Sequence, residues 1–142
     1  MSDKWDKRFL SMAALIATWS KDPSTQVGAV IVDKERRVVS LGYNGFPKGI
    51  SDDKRLDKRE TKYKMVVHAE CNALLFAAKD LAGCTIYTQP FMPCPTCAGM
   101  IIQSGITRAV SHETNNDRWS EDFAIARNMF KEAGVDLTEY EV

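Results

Sequence analysis

Apolar residues near the start of the chain are spaced alternately four and three positions apart, the spacing of one helix face. They are Trp5, Phe9, Met12, Ile16 and Trp19. This pattern predicts an amphipathic helix of about four turns. The Lys21-Asp22-Pro23-Ser24 segment ends it, because proline breaks a helix. Two β-rich runs follow at 26–32 and 37–43, and the charged residues 33–36 between them predict a hairpin connection.

Beyond the hairpin, helical and strand patterns alternate. Residues 46–64 are rich in glycine, proline and charge, which predicts a long loop. The remaining elements are predicted, in order, as a helix at 68–79, a strand at 84–89, a helix at 96–104 after a proline-rich turn, a strand at 106–111, a helix with Trp119, Phe123, Arg127 and Phe130 along one stripe, and a short strand at 135–137.

This order of elements predicts a three-layer α/β/α fold with a five-stranded mixed sheet. The strand–helix–strand connections in the second half predict parallel pairing there. A length of 142 residues suits one core, so residues 1–142 are predicted to form a single domain.

The charge balance of the chain argues against nucleic acid as a partner. The 19 basic and 19 acidic side chains cancel, whereas a dedicated nucleic-acid binder normally carries a basic excess. A few local cations could still hold one small anionic substrate. The first residues are charged and lack the apolar run of a signal peptide, and no stretch approaches the roughly 18 apolar residues of a membrane span. We therefore expect a cytoplasmic protein with neither nucleic acid nor membrane as partner.

Two short motifs carry the candidate chemistry: His68-Ala69-Glu70, and Pro93-Cys94-Pro95-Thr96-Cys97 downstream. Two cysteines three positions apart at a helix start can direct both sulfurs at one ion, and the helix N-terminus favours their thiolate forms. A histidine from a second helix start supplies a third ligand. Three protein ligands leave one tetrahedral position for water, which is typical of a catalytic zinc site.

Glu70 follows His68 by two positions, so its carboxylate can approach that water without binding the metal. Zinc lowers the pKa of a bound water, and a carboxylate can accept the released proton. The same group can then protonate a ring nitrogen and a departing ammonia, because an exocyclic amine leaves poorly until it is protonated. Two other interpretations exist. A redox cysteine pair would leave His68 and Glu70 unexplained, and a closed structural zinc site would need a fourth ligand.

The pattern H-x-E…P-C-x-x-C is a signature of zinc nucleobase deaminases. Over most of its length the chain resembles the deoxycytidylate deaminases, a branch of the cytidine-deaminase-like superfamily. The Gly-Tyr-Asn-Gly segment narrows the resemblance to this branch. The matching segments are Ser20-Lys21-Asp22-Pro23, Gln26-Val27-Gly28-Ala29, Gly42-Tyr43-Asn44-Gly45 with Pro47, His68-Ala69-Glu70 with Asn72-Ala73, the two-cysteine motif, and Gln103-Ser104-Gly105-Ile106.

The resemblance implies hydrolysis of dCMP to dUMP and ammonia, which supplies dUMP for thymidylate synthesis. It implies one catalytic zinc per subunit, held by His68, Cys94 and Cys97, with Glu70 as the catalytic residue. Asn44 is similar to a substrate-sugar ligand of the superfamily, although an asparagine before Gly45 is also typical of a turn.

The other substrate contacts are expected on two segments. Backbone groups around Ala69 would contact the pyrimidine edge. Val27, Gly28 and Ala29 are compact, so a flat ring could lie against them. Ser24, Thr25 and Gln26 are the candidate phosphate ligands.

The resemblance further implies a homohexamer that dCTP activates and dTTP inhibits, with Mg accompanying a triphosphate effector. Its nucleotide site would involve Gly42, Tyr43, Asn44, Gly45 and Phe76, and the basic loop could contact triphosphate oxygens. The alternative is that the charges of this loop only face solvent.

The chain departs from some relatives in two places. Residues 46–67 contain neither cysteine nor histidine, so the second, structural zinc of those relatives is not expected. Thr114, Asn115 and Asn116 stand where some relatives place a tyrosine near the substrate. The choice between dCMP and dCTP therefore stays open.

Several residues are expected to have structural roles, and three other functions are alternatives to the deaminase. Cys71 and Cys84 are expected to be buried thiols, and His112 to be a surface or interface residue. A tRNA adenosine deaminase would share the cysteine motif but should carry a basic surface. A catalytically silent nucleotide sensor would lack Glu70 or a ligand, and a structural zinc knuckle would not need Glu70.

Overall fold

A computed structural model describes residues 3–113 and 119–141. Within them the helices are α1 (Asp3–Ala17), α2 (Arg59–Met65), α3 (Ala69–Phe76), α4 (Pro95–Gln103) and α5 (Ser120–Ala133), with one 3-10 turn at Lys54–Asp57. The strands are β1 (Gly28–Val32), β2 (Val38–Tyr43), β3 (Thr85–Gln89), β4 (Arg108–His112) and β5 (Asp136–Tyr140). None of the described helices is both long and apolar enough to cross a membrane.

The five strands form one mixed sheet in the order β2-β1-β3-β4-β5. Strand β1 is antiparallel to both β2 and β3, whereas β3–β4 and β4–β5 are parallel pairs. The predicted mixed sheet, its hairpin and the parallel pairing of the second half are therefore confirmed.

Helices cover both faces of the sheet. Successive residues of β1 point to opposite faces, and all five are buried. On one face, Val30 and Val32 pack against α1 through Phe9 and Leu10. On the other face, the core contains residues of three helices: Ala69 and Ala73 of α3, Ala98 and Ile101 of α4, and Phe123, Ala126 and Phe130 of α5. The three-layer prediction is confirmed.

The apolar stripe predicted at the start of the chain is only partly buried. Phe9 and Ile16 lie in the core, whereas Trp19 follows the end of α1 and is 51% exposed. Its ring contacts Tyr43 edge to face, with the centroids 6.2 Å apart.

Gly28 is required by helix packing. A Cβ at this position would lie 2.1 Å from the carbonyl oxygen of Ala13 and 2.6 Å from the backbone nitrogen of Ala17, both in α1. The compactness of Gly28 therefore allows α1 to approach the sheet, and our interpretation that it makes room for a pyrimidine is wrong at this residue.

Two element boundaries differ from the prediction for local reasons. Helix α3 ends at Phe76 and not at Lys79, because Ala77 adopts an extended conformation with φ −65° and ψ 131°. Strand β5 continues to Tyr140, because it pairs with β4 as far as His112.

Residues 46–64 are not one continuous loop, contrary to the prediction. The Asp53 side chain accepts a hydrogen bond from the backbone of Arg55 and caps the 3-10 turn, and α2 begins two residues after that turn ends. Two side chains of this charged segment, Leu56 and Lys62, are nevertheless buried. Burial of these two side chains against the rest of the domain holds the 3-10 turn and α2 in place. The segment has no periodic apolar pattern from which the turn and helix could have been predicted.

A two-residue bridge closes this segment. The Gly45 backbone nitrogen donates to the Val67 oxygen at 3.2 Å, and the Val67 nitrogen donates to the Gly45 oxygen at 2.8 Å. We call residues 46–66 the insert. Since its ends are paired, Asn44 at the end of β2 lies beside His68 at the start of α3.

Candidate active site and metal centre

The three predicted metal ligands lie at the starts of two helices. His68 is the N-cap of α3, and Cys94 is the N-cap of α4, where Pro95 occupies the first turn. Cys97 follows within that first turn. Both N-caps have extended backbone conformations, and neither uses its side chain to cap its helix. Their side chains are therefore available to bind a metal.

The ligand atoms converge on one point. His68 Nδ1 lies 3.3 Å from Cys97 Sγ and 3.5 Å from Cys94 Sγ. All three candidate ligand atoms lie within 4.8 Å of one another, and no other described residues form such a group. Two sulfurs and one imidazole nitrogen are the donor types that zinc prefers. The residues present therefore fit a zinc ion.

Hydrogen bonds within the cluster shift the pKa values of all three side chains. A hydrogen bond from Cys97, joined by one to His68, lowers the pKa of the Cys94 thiol despite its burial. The pKa of Cys97 is raised in turn, first by its hydrogen bond to Cys94. The hydrogen bond to Cys94 also raises the pKa of His68. Cys94 is thus held as a thiolate, the form in which cysteine binds metals.

Glu70 lies in the first turn of α3 and is buried, with 4% of its surface exposed. Burial raises the pKa of its carboxyl to about 7. The side chain borders the same pocket as His68 and Cys94. It is therefore placed to exchange protons with a ligand in that pocket.

The pocket has a charged metal end, a polar end and apolar walls. His68, Glu70 and Cys94 form the metal end. The apolar walls include Val27, Phe91 and Phe123, and Phe91 and Phe123 lie with their ring centroids 6.4 Å apart. The polar end is lined by Asp22, Thr25, Asn44 and Lys62.

Asp22 organises the polar end. Its Oδ1 accepts hydrogen bonds from the backbone nitrogens of Ser24 at 2.9 Å and Thr25 at 3.1 Å. It also accepts one from Lys62 Nζ at 3.1 Å. Burial opposes ionisation, but these hydrogen bonds outweigh it and lower the pKa of Asp22. The carboxylate therefore stays charged although it is buried.

The predicted substrate ligands occupy different positions around the pocket. Thr25, Val27, Asn44 and Ala69 line it, whereas Ser24 is exposed and does not. The Asn44 amide already has protein partners: its Oδ1 accepts from the Val27 nitrogen at 2.8 Å and its Nδ2 donates to the Thr25 oxygen at 2.9 Å. Asn44 thus fixes the strand entry as well as facing the pocket.

The residues predicted for the effector site are only partly exposed. Gly42 is buried under α3, where a Cβ would lie 2.5 Å from the Ala69 oxygen. Tyr43 and Phe76 are 41% and 56% exposed. Asn72, one turn before Phe76, donates to the Tyr43 oxygen at 2.8 Å. Lys48 Nζ lies 5.3 Å from the Phe76 ring centroid.

Sequence reasoning missed Lys62 and did not assign Asp22 to the site. The Asp-Pro-Ser-Thr segment is typical of a turn closed by an aspartate side chain, and could have indicated the local role of Asp22. Lys62 had no such signal, because its partners lie about 40 residues earlier in the chain. Thr114, Asn115 and Asn116 lie outside the described residues.

The remaining cysteines and the second histidine lie outside the cluster. Cys84 is buried, as predicted, whereas Cys71 is half-buried, with its Sγ 3.9 Å from Met100 Sδ. His112 is half-buried at the end of β4.

Comparison with known proteins identifies similar chains. The family model described as "Cytidine and deoxycytidylate deaminase zinc-binding region" matches residues 3–113. An uncharacterised deaminase from the luxG 3' region of Aliivibrio fischeri is 52% identical over 97% of this chain and 95% of its own. The deoxycytidylate deaminase of Mus musculus is 43% identical over 96% of this chain and 80% of its own.

A solved structure has the same fold. The dCMP deaminase of cyanophage S-TIM5 superposes with a TM-score of 0.78 at 22% identity, over 98% of this chain and 99% of that one.

Proposed function

Since the chain belongs to the cytidine and deoxycytidylate deaminase family, we propose that it hydrolyses dCMP to dUMP and ammonia. The family resemblance and the enzyme class predicted from the motifs, a deaminase, are confirmed by the matches described above. Relatives from mouse and human are named deoxycytidylate deaminases, which supports the substrate.

One observation carries the proposal: the convergence of His68, Cys94 and Cys97 at one end of a pocket, with the buried Glu70 beside them. A metal site with three protein ligands and a neighbouring carboxyl that is not a ligand is typical of hydrolytic chemistry. A structural zinc site would not need Glu70 at the pocket wall.

His68 Nδ1, Cys94 Sγ and Cys97 Sγ would hold the zinc. When bound, zinc supplies a Lewis acid that makes water nucleophilic at neutral pH. The Glu70 carboxylate accepts a proton from the attacking water and passes it to the ring nitrogen N3. As the C4–O bond forms and the C4–N bond breaks, Glu70 delivers the second proton to the amine, which leaves as ammonia. Water in and ammonia out balance the reaction.

Other groups at the pocket would orient the substrate. We propose that Val27 packs on the pyrimidine, that backbone groups at Ala69 contact its edge, and that Asn44 contacts the sugar. Asn44 Oδ1 accepts a hydrogen bond from the Val27 nitrogen, and a carbonyl oxygen can accept two. It could therefore accept a sugar hydroxyl while it still holds the strand. Thr25 lines the pocket and supports the phosphate assignment better than Ser24 does.

The test is ammonia release from dCMP, dCTP, CMP and deoxycytidine by wild type and Glu70→Gln. We expect dCMP to be the preferred substrate. Glu70→Gln should lower kcat by about 10²- to 10⁴-fold while zinc content, measured by atomic emission, stays unchanged. Glu132→Gln, an exposed position near the end of α5, is the matched control. Full activity of Glu70→Gln would contradict the mechanism. Preferential ammonia release from a tRNA anticodon stem-loop would show that the substrate is tRNA and not dCMP.

A second part of the proposal is that nucleotides regulate the activity. The surface formed by Tyr43, Phe76 and Lys48 offers two exposed aromatic rings and a cation, which suits a base and a phosphate. We expect a sigmoidal response to dCMP that dCTP, with Mg, makes hyperbolic and dTTP opposes. A hyperbolic response that neither nucleotide changes would remove the regulatory proposal and leave catalysis untouched. Acceptance of dCTP as a substrate, the homohexamer and a cytoplasmic location also stay predictions.

A further inference from the structure

Lys62 is the only lysine or arginine among the described residues that line the pocket. It belongs to α2, within the insert, and 4% of its surface is exposed. Most of its neighbours in the insert with the same charge are exposed. Burial of Lys62 at a pocket wall is energetically costly, because a buried ammonium loses its hydration. A compensating interaction is therefore expected.

The contacts of Lys62 fix its ammonium group. Nζ donates to Asp22 Oδ1 at 3.1 Å and to Ser24 Oγ at 2.8 Å. The Tyr63 ring is a third neighbour, with its centroid 5.7 Å from Nζ, and it takes no hydrogen bond at that distance. An ammonium carries three donors, so the third hydrogen can reach a ligand in the pocket. The side chains of Lys62 and Asp22 are 5% and 3% exposed, which protects their interaction from screening by salt.

Stability alone does not account for this pair. Replacing a buried ion pair by apolar residues of similar volume is often neutral or stabilising, because desolvation offsets the Coulomb attraction. The pair also joins the insert to the strand entry, and an apolar contact could do the same. A cation held rigidly at a pocket wall is better explained by an anionic ligand.

Other groups at the polar end are poorly suited to bind an anion. The backbone N–H groups of Ser24 and Thr25 already donate to Asp22. Asp22 itself is a carboxylate and would repel a phosphate. Among the described residues, the other basic group at the pocket is His68, which belongs to the metal cluster. A phosphate in this pocket therefore has one available ammonium.

We propose that Lys62 is a specificity-determining residue that donates a hydrogen bond to the 5′-phosphate of the substrate, with Asp22 and Ser24 holding its ammonium in position. The inference rests on the proposed deamination of a cytosine nucleotide and assigns the group that distinguishes the nucleotide from the nucleoside. The insert thereby becomes part of the substrate site.

The test compares two ligand pairs that differ only in the phosphate. The first is turnover of dCMP against deoxycytidine, as a ratio of kcat/KM values. The second is calorimetric binding of dUMP against deoxyuridine. Lys62→Met should lower the preference for the phosphorylated member of each pair by about 10- to 100-fold, the usual effect of losing a hydrogen bond to a charged group, with the value for the nucleoside changed by less than about threefold.

Two further variants control for misfolding and for nonspecific effects of removing a lysine. Lys62→Met leaves the Asp22 carboxylate buried without its cation, so Lys62→Met/Asp22→Asn removes both charges and should show the same loss of preference in a folded protein. Lys7→Met, which removes an exposed lysine from α1, should change neither pair. An unchanged preference in the double variant, or equal losses for nucleotide and nucleoside, would overturn the proposal and leave Lys62 as a structural residue.

Failure of the proposed function gives a different result. Absence of ammonia release by the wild type from every cytosine substrate would remove the deaminase proposal. In that case the binding pair still decides the role of Lys62, because dUMP and deoxyuridine require no turnover.

Discussion

Asp6 and Arg108 form an ion pair with two hydrogen bonds between α1 and β4. Arg108 Nη1 donates to Asp6 Oδ1 at 2.7 Å, and Nη2 donates to Oδ2 at 2.6 Å. Asp6 is fully buried, and the hydroxyls of Tyr87 and Tyr140 donate to the same carboxylate. One side chain of α1 therefore connects the helix to β3, β4 and β5, on the face of the sheet opposite to α3 and α4.

Loss of this ion pair should destabilise the fold. Asp6→Asn leaves Arg108 with the largely exposed Asp136, 3.5 Å away, as its remaining carboxylate partner, and breaking a buried pair from one side typically costs about 3–5 kcal/mol. We expect a loss near the lower end, because asparagine retains one acceptor and Arg108 retains Asp136. Urea unfolding measures it, with Glu132→Gln as the exposed control that should stay within about 0.5 kcal/mol of the wild type. A stability equal to that of the control would show that the pair does not hold α1.

The same carboxylate should make stability dependent on acid. Burial opposes ionisation of Asp6, but hydrogen bonds from Arg108, Tyr140 and Tyr87 outweigh it and lower its pKa. Because the folded pKa lies below the unfolded value of about 3.9, the unfolded chain binds more protons in this range. The contribution of Asp6 is complete above about pH 5 and declines as the pH falls through 3.9 towards the folded pKa.

The measurement is the free energy of unfolding from pH 6 to pH 3, for wild type and for Asp6→Asn. The difference between the two proteins should shrink as the pH falls. A constant difference would mean that the ionisation of Asp6 contributes nothing.

Gly42 should be sensitive to a single methyl group. A Cβ there would lie 2.5 Å from the Ala69 oxygen and 2.6 Å from the Ala73 nitrogen, both backbone atoms of α3. Gly42→Ala must displace the helix that begins directly after His68, so we expect a stability loss of about 1–3 kcal/mol and weaker zinc binding. Gly45→Ala is the matched control for stability, because a Cβ at Gly45 meets no atom within 4 Å. Equal unfolding free energies and zinc affinities for the two variants would contradict the close approach.

Metal content should follow the three-residue cluster. Cys94→Ser and His68→Ala should each lose zinc, as measured by atomic emission after dialysis, and lose deaminase activity with it. Cys71→Ser is the control, because Cys71 lies on α3 outside the cluster and should retain one zinc per chain. Zinc retained by both cluster variants would place the metal elsewhere.

The candidate metal cluster could be predicted from the sequence because its information is local. His68, Cys94 and Cys97 each stand at a helix start, and the short spacings within their motifs determine where the side chains point. Glu70 follows for the same reason. The order of strands and helices also sufficed to predict a five-stranded mixed sheet with parallel pairing in its second half, since few chain paths connect these elements without crossing.

The structural features that the sequence did not predict depend on contacts between segments that are distant in the chain. Lys62 meets Asp22 across 40 residues, and Arg108 meets Asp6 across 102. A buried charge looks the same in the sequence as an exposed one, so the sequence predicts only a long charged loop and does not single out Lys62. Gly28 shows a related difficulty: a small residue indicates that something approaches closely, but the sequence does not say whether it is a helix or a ligand.

The pairing of Gly45 with Val67 separates the length of the insert from the geometry of the catalytic centre. Residues can be added or removed between these two positions while the strand end and the helix start remain side by side. Exchange of the whole segment with a homologous one would then alter which nucleotides are accepted, through the residue that replaces Lys62, on unchanged hydrolytic machinery.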